Sequence, residues 1–93
     1  MNSYSIFFLK SLYPDFNEDA DQASILNWKN AGREPGSDYG ALRKIVLQLK
    51  ATGLRGKPVE RELGKAYVEC EEDGVIKNLT QSQWLELCYF ASH

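Results

Sequence analysis

Few side chains in this sequence could take part in catalysis. The single histidine is His93, and the two cysteines, Cys70 and Cys88, do not form a Cys-x-x-Cys motif. A catalytic site needs a nucleophile beside a base, two carboxyl groups with separated pKa values, or a set of metal ligands. A phosphate-binding loop and a Gly-x-Gly-x-x-Gly motif are both absent from the sequence. We therefore predict a protein that is not an enzyme and that holds no metal and no cofactor.

One acidic cluster could bind a hard cation. Glu69, Glu71 and Asp73 would share one face of a β-strand, and such cations prefer carboxylate oxygens as ligands. We favour a solvated hairpin tip as the interpretation of these three residues. The two cysteines have neither Cys-x-x-Cys spacing nor a second pair of metal ligands. We predict two reduced, buried thiols, with a disulfide as the alternative.

Positive charge is concentrated in the middle of the chain. The net charge is −2, yet residues 42–67 hold seven basic and two acidic side chains, while residues 1–41 carry −3 and residues 68–93 carry −4. A clustered basic patch is what backbone-directed nucleic-acid binding requires. Acidic ends that neutralise this basic middle in the folded protein are the alternative interpretation. The candidate residues for binding a partner or nucleic acid are Arg43, Lys44, Lys50, Arg55, Lys57 and Arg61.

The best-specified element that would position these residues is a helix over residues 38–52. Its apolar residues recur at i, i+3, i+4 and i+7, as the face of a helix requires: Leu42, Ile45, Val46 and Leu49. Ser37 is a suitable N-cap, Asp38 places a negative charge in the first turn, and Gly53 can end the helix in a left-handed conformation. Leu47 points away from the apolar face and is a candidate contact for a partner, although a lone exposed leucine is common.

Two segments precede this helix. Residues 3–13 are apolar and rich in aromatics, and their pattern fits either a helix or a buried strand; the aromatic content favours a strand. Asn17 is a suitable N-cap for another helix, which we expect to run to about residue 29 or 30. Its apolar stripe is thin, which indicates a surface helix anchored by Trp28. Gly32 would follow its end in the C′ position.

Residues 58–76 fit two structures. Val59, Arg61 and Leu63 alternate with acidic residues, Gly64-Lys65 suits a two-residue turn, and a second alternation follows, which together predict a three-stranded meander. One helix over 58–72 is the alternative. Pro58 would begin this helix, Gly74 would end it, and four residues would share one face: Val59, Leu63, Ala66 and Cys70. Because Gly64 would cost such a helix ~1 kcal/mol, we favour the strands.

The last segment predicts a helix that begins with a capping box. Thr80 and Gln83 have the required spacing. One face of the helix carries Trp84, Leu87, Cys88 and Ala91. Three apolar residues lie off that face and are candidates for contact with a partner, as Leu47 is: Leu85, Tyr89 and Phe90.

Two stretches resemble parts of known families. Residues 23–35, Ala-Ser-Ile-Leu-Asn-Trp-Lys-Asn-Ala-Gly-Arg-Glu-Pro, followed by a leucine-rich helix, resemble the second half of phage-repressor-type helix-turn-helix domains. That resemblance implies DNA contacts by Gln22, Ser24, Asn27 and Lys29. The order strand, two helices, meander, with residues 56–69, is similar to the body of small bacterial ribonuclease toxins of the RelE type, which bind RNA or an antitoxin.

The sequence thus predicts one domain over residues 1–93 with an α+β fold: an N-terminal strand, two helices, a short antiparallel β-meander and a C-terminal helix. A mostly α-helical, helix-turn-helix-like fold is the alternative. No apolar run approaches the ~20 residues of a membrane span, and no basic n-region precedes the first apolar residues, so we expect a cytoplasmic protein without a membrane partner. We expect a non-enzymatic binding module that docks on a macromolecule, foremost a protein, as an inhibitor or adaptor; a nucleic-acid-binding module is the alternative.

Overall fold

The computed structural model describes residues 2–19, 27 and 30–93, and within these ranges the chain forms four α-helices and no strand. The helices are α1 (Ser3–Leu12), α2 (Ser37–Ala51), α3 (Lys57–Glu72) and α4 (Gln81–Ser92). The fold is therefore all-α. The predicted α+β fold was wrong, and its mostly α-helical alternative is confirmed. None of the helices in the described part of the chain is long and apolar enough to span a membrane.

The strand predicted for residues 3–13 is helix α1. Ser5, Phe8 and Leu9 are its buried residues, at the i, i+3 and i+4 spacing of one helix face. A helix pairs its backbone N–H and C=O groups within its own segment, whereas a strand needs a neighbouring strand, which the described chain does not offer. Aromatic content therefore favoured the wrong element here. The helix ends before Tyr13, whose N–H donates to the Leu9 carbonyl oxygen at 2.8 Å.

Helix α2 matches its prediction to within one residue at each end. Gly36, with φ of 92°, is the N-cap in place of the predicted Ser37, which becomes the first helical residue. Asp38 lies in the first turn, as predicted. Gly53 follows the C-cap Thr52 with φ of 98°, the left-handed conformation predicted for it.

The predicted meander over residues 58–76 was also wrong, and helix α3 occupies most of that segment. The four residues of the alternative helix face, Val59, Leu63, Ala66 and Cys70, are all fully buried. Burying one leucine-sized side chain contributes about 1.5–3 kcal/mol, so this face outweighs the ~1 kcal/mol cost of Gly64 in the helix interior. Pro58 lies in the first turn, and Gly74 follows the helix with φ of 70°. The RelE-like arrangement with a meander is excluded with it.

The capping box predicted for the last helix is confirmed. The Gln83 N–H donates to Thr80 Oγ1 at 3.1 Å, and the Thr80 N–H donates to Gln83 Oε1 at 3.0 Å. Leu87 and Ala91 are buried in α4, and the remaining two residues of its predicted apolar face, Trp84 and Cys88, are half-buried.

The predicted helix from Asn17 to about residue 30, with Trp28 as anchor, lies for the most part outside the described residues. The same holds for the helix-turn-helix-like stretch and for its DNA-facing candidates other than Asn27. Asn17 Oδ1 accepts a hydrogen bond from the Asp19 N–H at 3.0 Å, as the side chain of a capping residue does. Gly32 does not take the left-handed conformation expected at C′.

The core lies where the four helices meet. Each helix contributes at least one large, fully buried residue: Phe8, Leu42, Leu63 and Leu87. Helices α2 and α4 run in the same direction, because Gly36 at the start of α2 lies beside the Gln83 side chain, while Lys50 near its end contacts Phe90. This parallel arrangement brings the basic half of α2 against the last turns of α4.

Both thiols are free, as predicted, but only one of them is buried. Cys70 is fully buried, whereas Cys88 is half-buried. Burial raises the pKa of the Cys70 thiol to about 12, helped by the nearby Asp73 and Glu69 charges and opposed by a hydrogen bond with Ser5. Since the thiolate is the reactive form, Cys70 is an inert core residue.

Candidate functional site

Two cations of α2 lie against one aromatic ring of α4. Arg43 Cζ and Lys50 Nζ are each 4.1 Å from the centroid of the Phe90 ring. Lys50 Nζ also donates a hydrogen bond to the Phe90 carbonyl oxygen at 2.7 Å, and Arg43 Nη1 donates to the Tyr39 hydroxyl at 2.9 Å. Tyr39, Arg43 and Lys50 lie on one flank of α2. The two cations of this flank contact Phe90 of α4.

A third cation extends this arrangement beyond the end of α2. Arg55 Nη1 donates hydrogen bonds to the Lys50 and Leu54 carbonyl oxygens, both at 2.6 Å. Carbonyl oxygens at the C-terminal end of a helix lack intrahelical donors and carry the negative end of the helix dipole, so a guanidinium suits this position. We call the group of Arg43, Lys50, Arg55 and Phe90 the basic strip.

The cations of the basic strip are held by neutral groups. Their contacts are an aromatic ring, a hydroxyl and backbone carbonyl oxygens. The salt bridges within the described residues lie elsewhere, between Lys10 and Glu18 and between Arg33 and Asp38. Neither of these salt bridges includes a cation of the basic strip, so no described carboxylate pairs with its positive charge.

Arg33 and Asp38 form a buried ion pair at the opposite end of α2. Their side chains are 3% and 0% exposed, and Arg33 Nε lies 3.0 Å from Asp38 Oδ1. Asp38 Oδ2 accepts hydrogen bonds from the Lys77 and Asn78 N–H groups, the latter at 2.8 Å. Arg33 Nη2 donates to the Val75 carbonyl oxygen. The pair thus connects the start of α2 to the α3–α4 loop, and its two charges neutralise each other inside the fold.

The predicted apolar contact residues of α4 do not act as one group. Leu85 and Tyr89, one helical turn apart, are 61% and 67% exposed on the outer face of the helix. Phe90 is half-buried on the flank that faces α2, where it joins the basic strip. The Tyr89 ring stacks on the His93 ring with their centroids 4.2 Å apart. We call Leu85 and Tyr89 the outer pair.

The remaining predicted site residues lie on α2 and α3. Leu47 is 51% exposed on α2, one turn from Arg43 and from Lys50. Lys44 is exposed on the solvent side of α2. Lys57 and Arg61 are exposed in the first turns of α3, with Glu60 between them on the wall of a shallow cavity. Neither residue is part of the basic strip as defined above.

One contributing residue, Tyr39, was not among the predicted site residues. Tyr39 orients the Arg43 guanidinium through its hydroxyl. The i, i+4 spacing of the two residues on a predicted helix is the signal that could have identified it. The pairing of Phe90 with Arg43 and Lys50 had no such signal, because it joins separate helices.

The acidic cluster does not form the predicted hairpin tip. Glu69 and Glu71 belong to the end of α3, and Asp73 is its C-cap. The Asn2 N–H donates to Asp73 Oδ2 at 2.9 Å, and Ser5 Oγ donates to the Glu69 carbonyl oxygen at 3.3 Å. Among the described residues, no three His, Cys, Asp or Glu side chains are grouped so that they could hold a metal ion. Asp73 and the backbone of Glu69 instead anchor α1 to α3.

An open apolar cavity of about 200 Å³ lies between α1 and α2. Its lining residues are Ser3, Tyr4, Phe7, Ile45, Gln48 and Leu49. The Tyr4 hydroxyl donates to Glu62 Oε2 at 2.8 Å. With walls that are almost wholly apolar, the cavity offers shape but no reacting group.

No protein-family model, no curated protein sequence and no solved structure matches this chain. A functional proposal for this chain therefore depends on its own residues, above all on the basic strip and the outer pair.

Proposed function

We propose that this protein is a small non-enzymatic binding module that docks on a protein partner, in the manner of an inhibitor or adaptor. The observation that carries the proposal is the exposure of the outer pair. Helix α4 buries Leu87 and Ala91 in the core and still presents Leu85 and Tyr89, 61% and 67% exposed, on its other side. Tyrosine is enriched among the residues that dominate protein–protein binding energy. A partner that covered both side chains would remove a large apolar area from water.

The polar chemistry of the described residues supports binding rather than turnover. Ser92 Oγ lies 3.0 Å from His93 Nδ1, but the same hydroxyl donates to the Tyr89 carbonyl oxygen at 3.1 Å. Both hydrogen bonds are exposed to solvent. A nucleophile and its base need a third group to orient the base and a site that excludes water. Of the two thiols, Cys70 is fully buried, and burial raises the pKa of both Cys70 and Cys88.

Site-specific photo-crosslinking tests this proposal. A photoreactive phenylalanine derivative replaces Tyr89 in one variant and Val68, which is 52% exposed on α3, in a matched control. In extract of the source cell, the variant at position 89 should form a defined adduct with another protein that the variant at position 68 does not form. Excess unlabelled wild-type protein should suppress the adduct, whereas the L85S/Y89S double variant should not.

Three results would contradict the proposal. They are the same adducts from both positions, the absence of any adduct at position 89, and an adduct that consists only of two copies of this chain. The last result would assign the outer pair to self-association. Circular dichroism of L85S/Y89S would first establish that the double variant keeps its helices.

A further inference from the structure

We propose that the basic strip, together with Leu47, binds an acidic protein segment that presents one apolar side chain between two carboxylates. This inference rests on the proposed function, because it names the chemistry of the partner. It is carried by a different surface from the outer pair. The observation behind it is the order of side chains along one flank of α2, where Leu47 stands between the exposed Arg43 and the half-buried Lys50.

The spacing on α2 defines the shape of the complementary segment. Arg43 and Leu47 are i, i+4 neighbours, and Leu47 and Lys50 are i, i+3 neighbours, so all three project from one side of the helix. Arg43 Cζ and Lys50 Nζ each lie 4.1 Å from the centroid of the same ring, so the two charged groups are at most about 8 Å apart. Carboxylates at positions i and i+4 of a helix, or i and i+2 of an extended segment, are about 6–7 Å apart and fit within this distance. An apolar residue between them would meet Leu47, which is 51% exposed.

The cations are held in place before any partner arrives. Arg43 is fixed by the Phe90 ring and the Tyr39 hydroxyl, and Lys50 by the same ring and the Phe90 carbonyl oxygen. Ordering a long side chain on binding costs conformational entropy. Part of that cost is met in the free protein, while the remaining N–H groups of both side chains can still donate to carboxylate oxygens.

The same geometry favours a protein segment over nucleic acid. Sequence-tolerant binding of single strands stacks bases on exposed aromatic rings. Arg43 Cζ and Lys50 Nζ each lie 4.1 Å from the centroid of the Phe90 ring. A base could stack on this ring only by displacing one of the two cations. An exposed leucine between two cations also has no counterpart in a phosphate backbone. A short acidic and apolar peptide satisfies both features.

Selection from a random peptide display library on the full-length chain tests the inference. We expect the enriched peptides to carry Asp or Glu on both sides of a Leu, Ile or Phe. The R43Q and K50Q variants should each weaken binding of a selected peptide by about 3- to 10-fold, which corresponds to losing one charge-assisted contact. The K44Q variant is the matched control, since Lys44 is an exposed cation of the same helix outside the strip. Its affinity should stay within twofold of wild type.

Four results would overturn the inference. An acidic segment would be ruled out as the partner by a selection that yields no binders or by enriched peptides without acidic residues. It would also be ruled out if R43Q and K50Q left the peptide affinities unchanged. Random duplex or single-stranded oligonucleotides that displace the peptides and bind more tightly at physiological salt would assign the strip to nucleic acid. If the adduct at position 89 persists while the selection fails, docking survives without this partner chemistry. If peptides bind through the strip and position 89 forms no adduct, the outer-pair proposal alone is lost.

Discussion

The two ends of α2 use positive charge in opposite ways. At its start, Arg33 is 3% exposed and is paired with the fully buried Asp38 carboxylate. Towards its end, Arg43 and Lys50 share the ring of Phe90, and the acceptors of their hydrogen bonds are neutral. A buried ion pair gains little net stability from its charges but is costly to break. The neutral groups that hold Arg43 and Lys50 do not neutralise the positive charges of these residues.

This difference separates a cation that a carboxylate neutralises from cations that neutral groups hold. Arg33 would be counted with the other basic residues in any tally of sequence charge, yet its field is cancelled within a few ångströms. Arg43, Lys50 and Arg55 keep theirs, because a ring quadrupole or a carbonyl dipole holds a cation without neutralising it. Partner type and burial, more than residue type, therefore decide whether the charge of a cation is neutralised within the fold.

Removing Asp38 should have the largest effect on stability. The D38A variant leaves the Arg33 guanidinium buried without its carboxylate and leaves the Lys77 and Asn78 N–H groups without an acceptor. We expect the free energy of unfolding to fall by about 3–5 kcal/mol, measured by urea denaturation.

The double variant R33M/D38L is the control for this prediction. It removes both charges together, along with Arg33 Nη1, which is buried without a hydrogen-bond acceptor among the described residues. Its loss of unfolding free energy should be smaller than that of D38A. A loss below about 1 kcal/mol for D38A, the range of an exposed pair, would refute the structural role of the buried ion pair.

Alkaline pH should lower the free energy of unfolding, by a smaller amount than the D38A substitution does. Burial raises the pKa of Tyr4 to about 12 from 10.0, with the hydrogen bond to Glu62 next in importance, and burial raises that of Cys70 to about 12 from 9.0. Both groups lose their proton more readily when the chain unfolds. Their contribution to stability is therefore complete below about pH 9 and is lost as pH rises towards about 12.

Denaturation curves recorded across that range would measure the effect. The Y4F/C70A variant lacks both groups and should show a flatter decline of unfolding free energy with pH than the wild-type chain. An identical decline in the two proteins would show that other groups govern alkaline unfolding.

Neutralising the basic strip should have the smallest effect on stability. A cation over an exposed aromatic ring contributes about 0.5–1 kcal/mol, so R43Q and K50Q should each lower the unfolding free energy by no more than that. K44Q should stay within about 0.5 kcal/mol of wild type, as exposed substitutions usually do. If R43Q or K50Q cost more than about 2 kcal/mol, the strip would be a structural device like the buried ion pair, and the contrast between the two ends of α2 would fail.

Local signals in the sequence determined two helices and the distribution of charge. The apolar period of residues 42–49, with Gly53 after it, defined α2, and the Thr80–Gln83 capping box defined the start of α4. Such signals act within a few residues, so no knowledge of neighbouring elements is needed to interpret them. The excess of basic residues over 42–67 is likewise a property of the sequence itself.

The tertiary structure alone decided α1, α3 and the site. Residues 59–70 fit both a two-residue and a 3.6-residue period, and only an apolar surface formed by other helices, against which Val59, Leu63, Ala66 and Cys70 could all be buried, selected the helix. The basic strip requires Phe90 of α4 to meet Arg43 and Lys50 of α2. That meeting follows from the parallel packing of two helices far apart in sequence, which no local pattern encodes. Residue types alone therefore supplied the candidate cations, and packing determined which of them meet at the Phe90 ring.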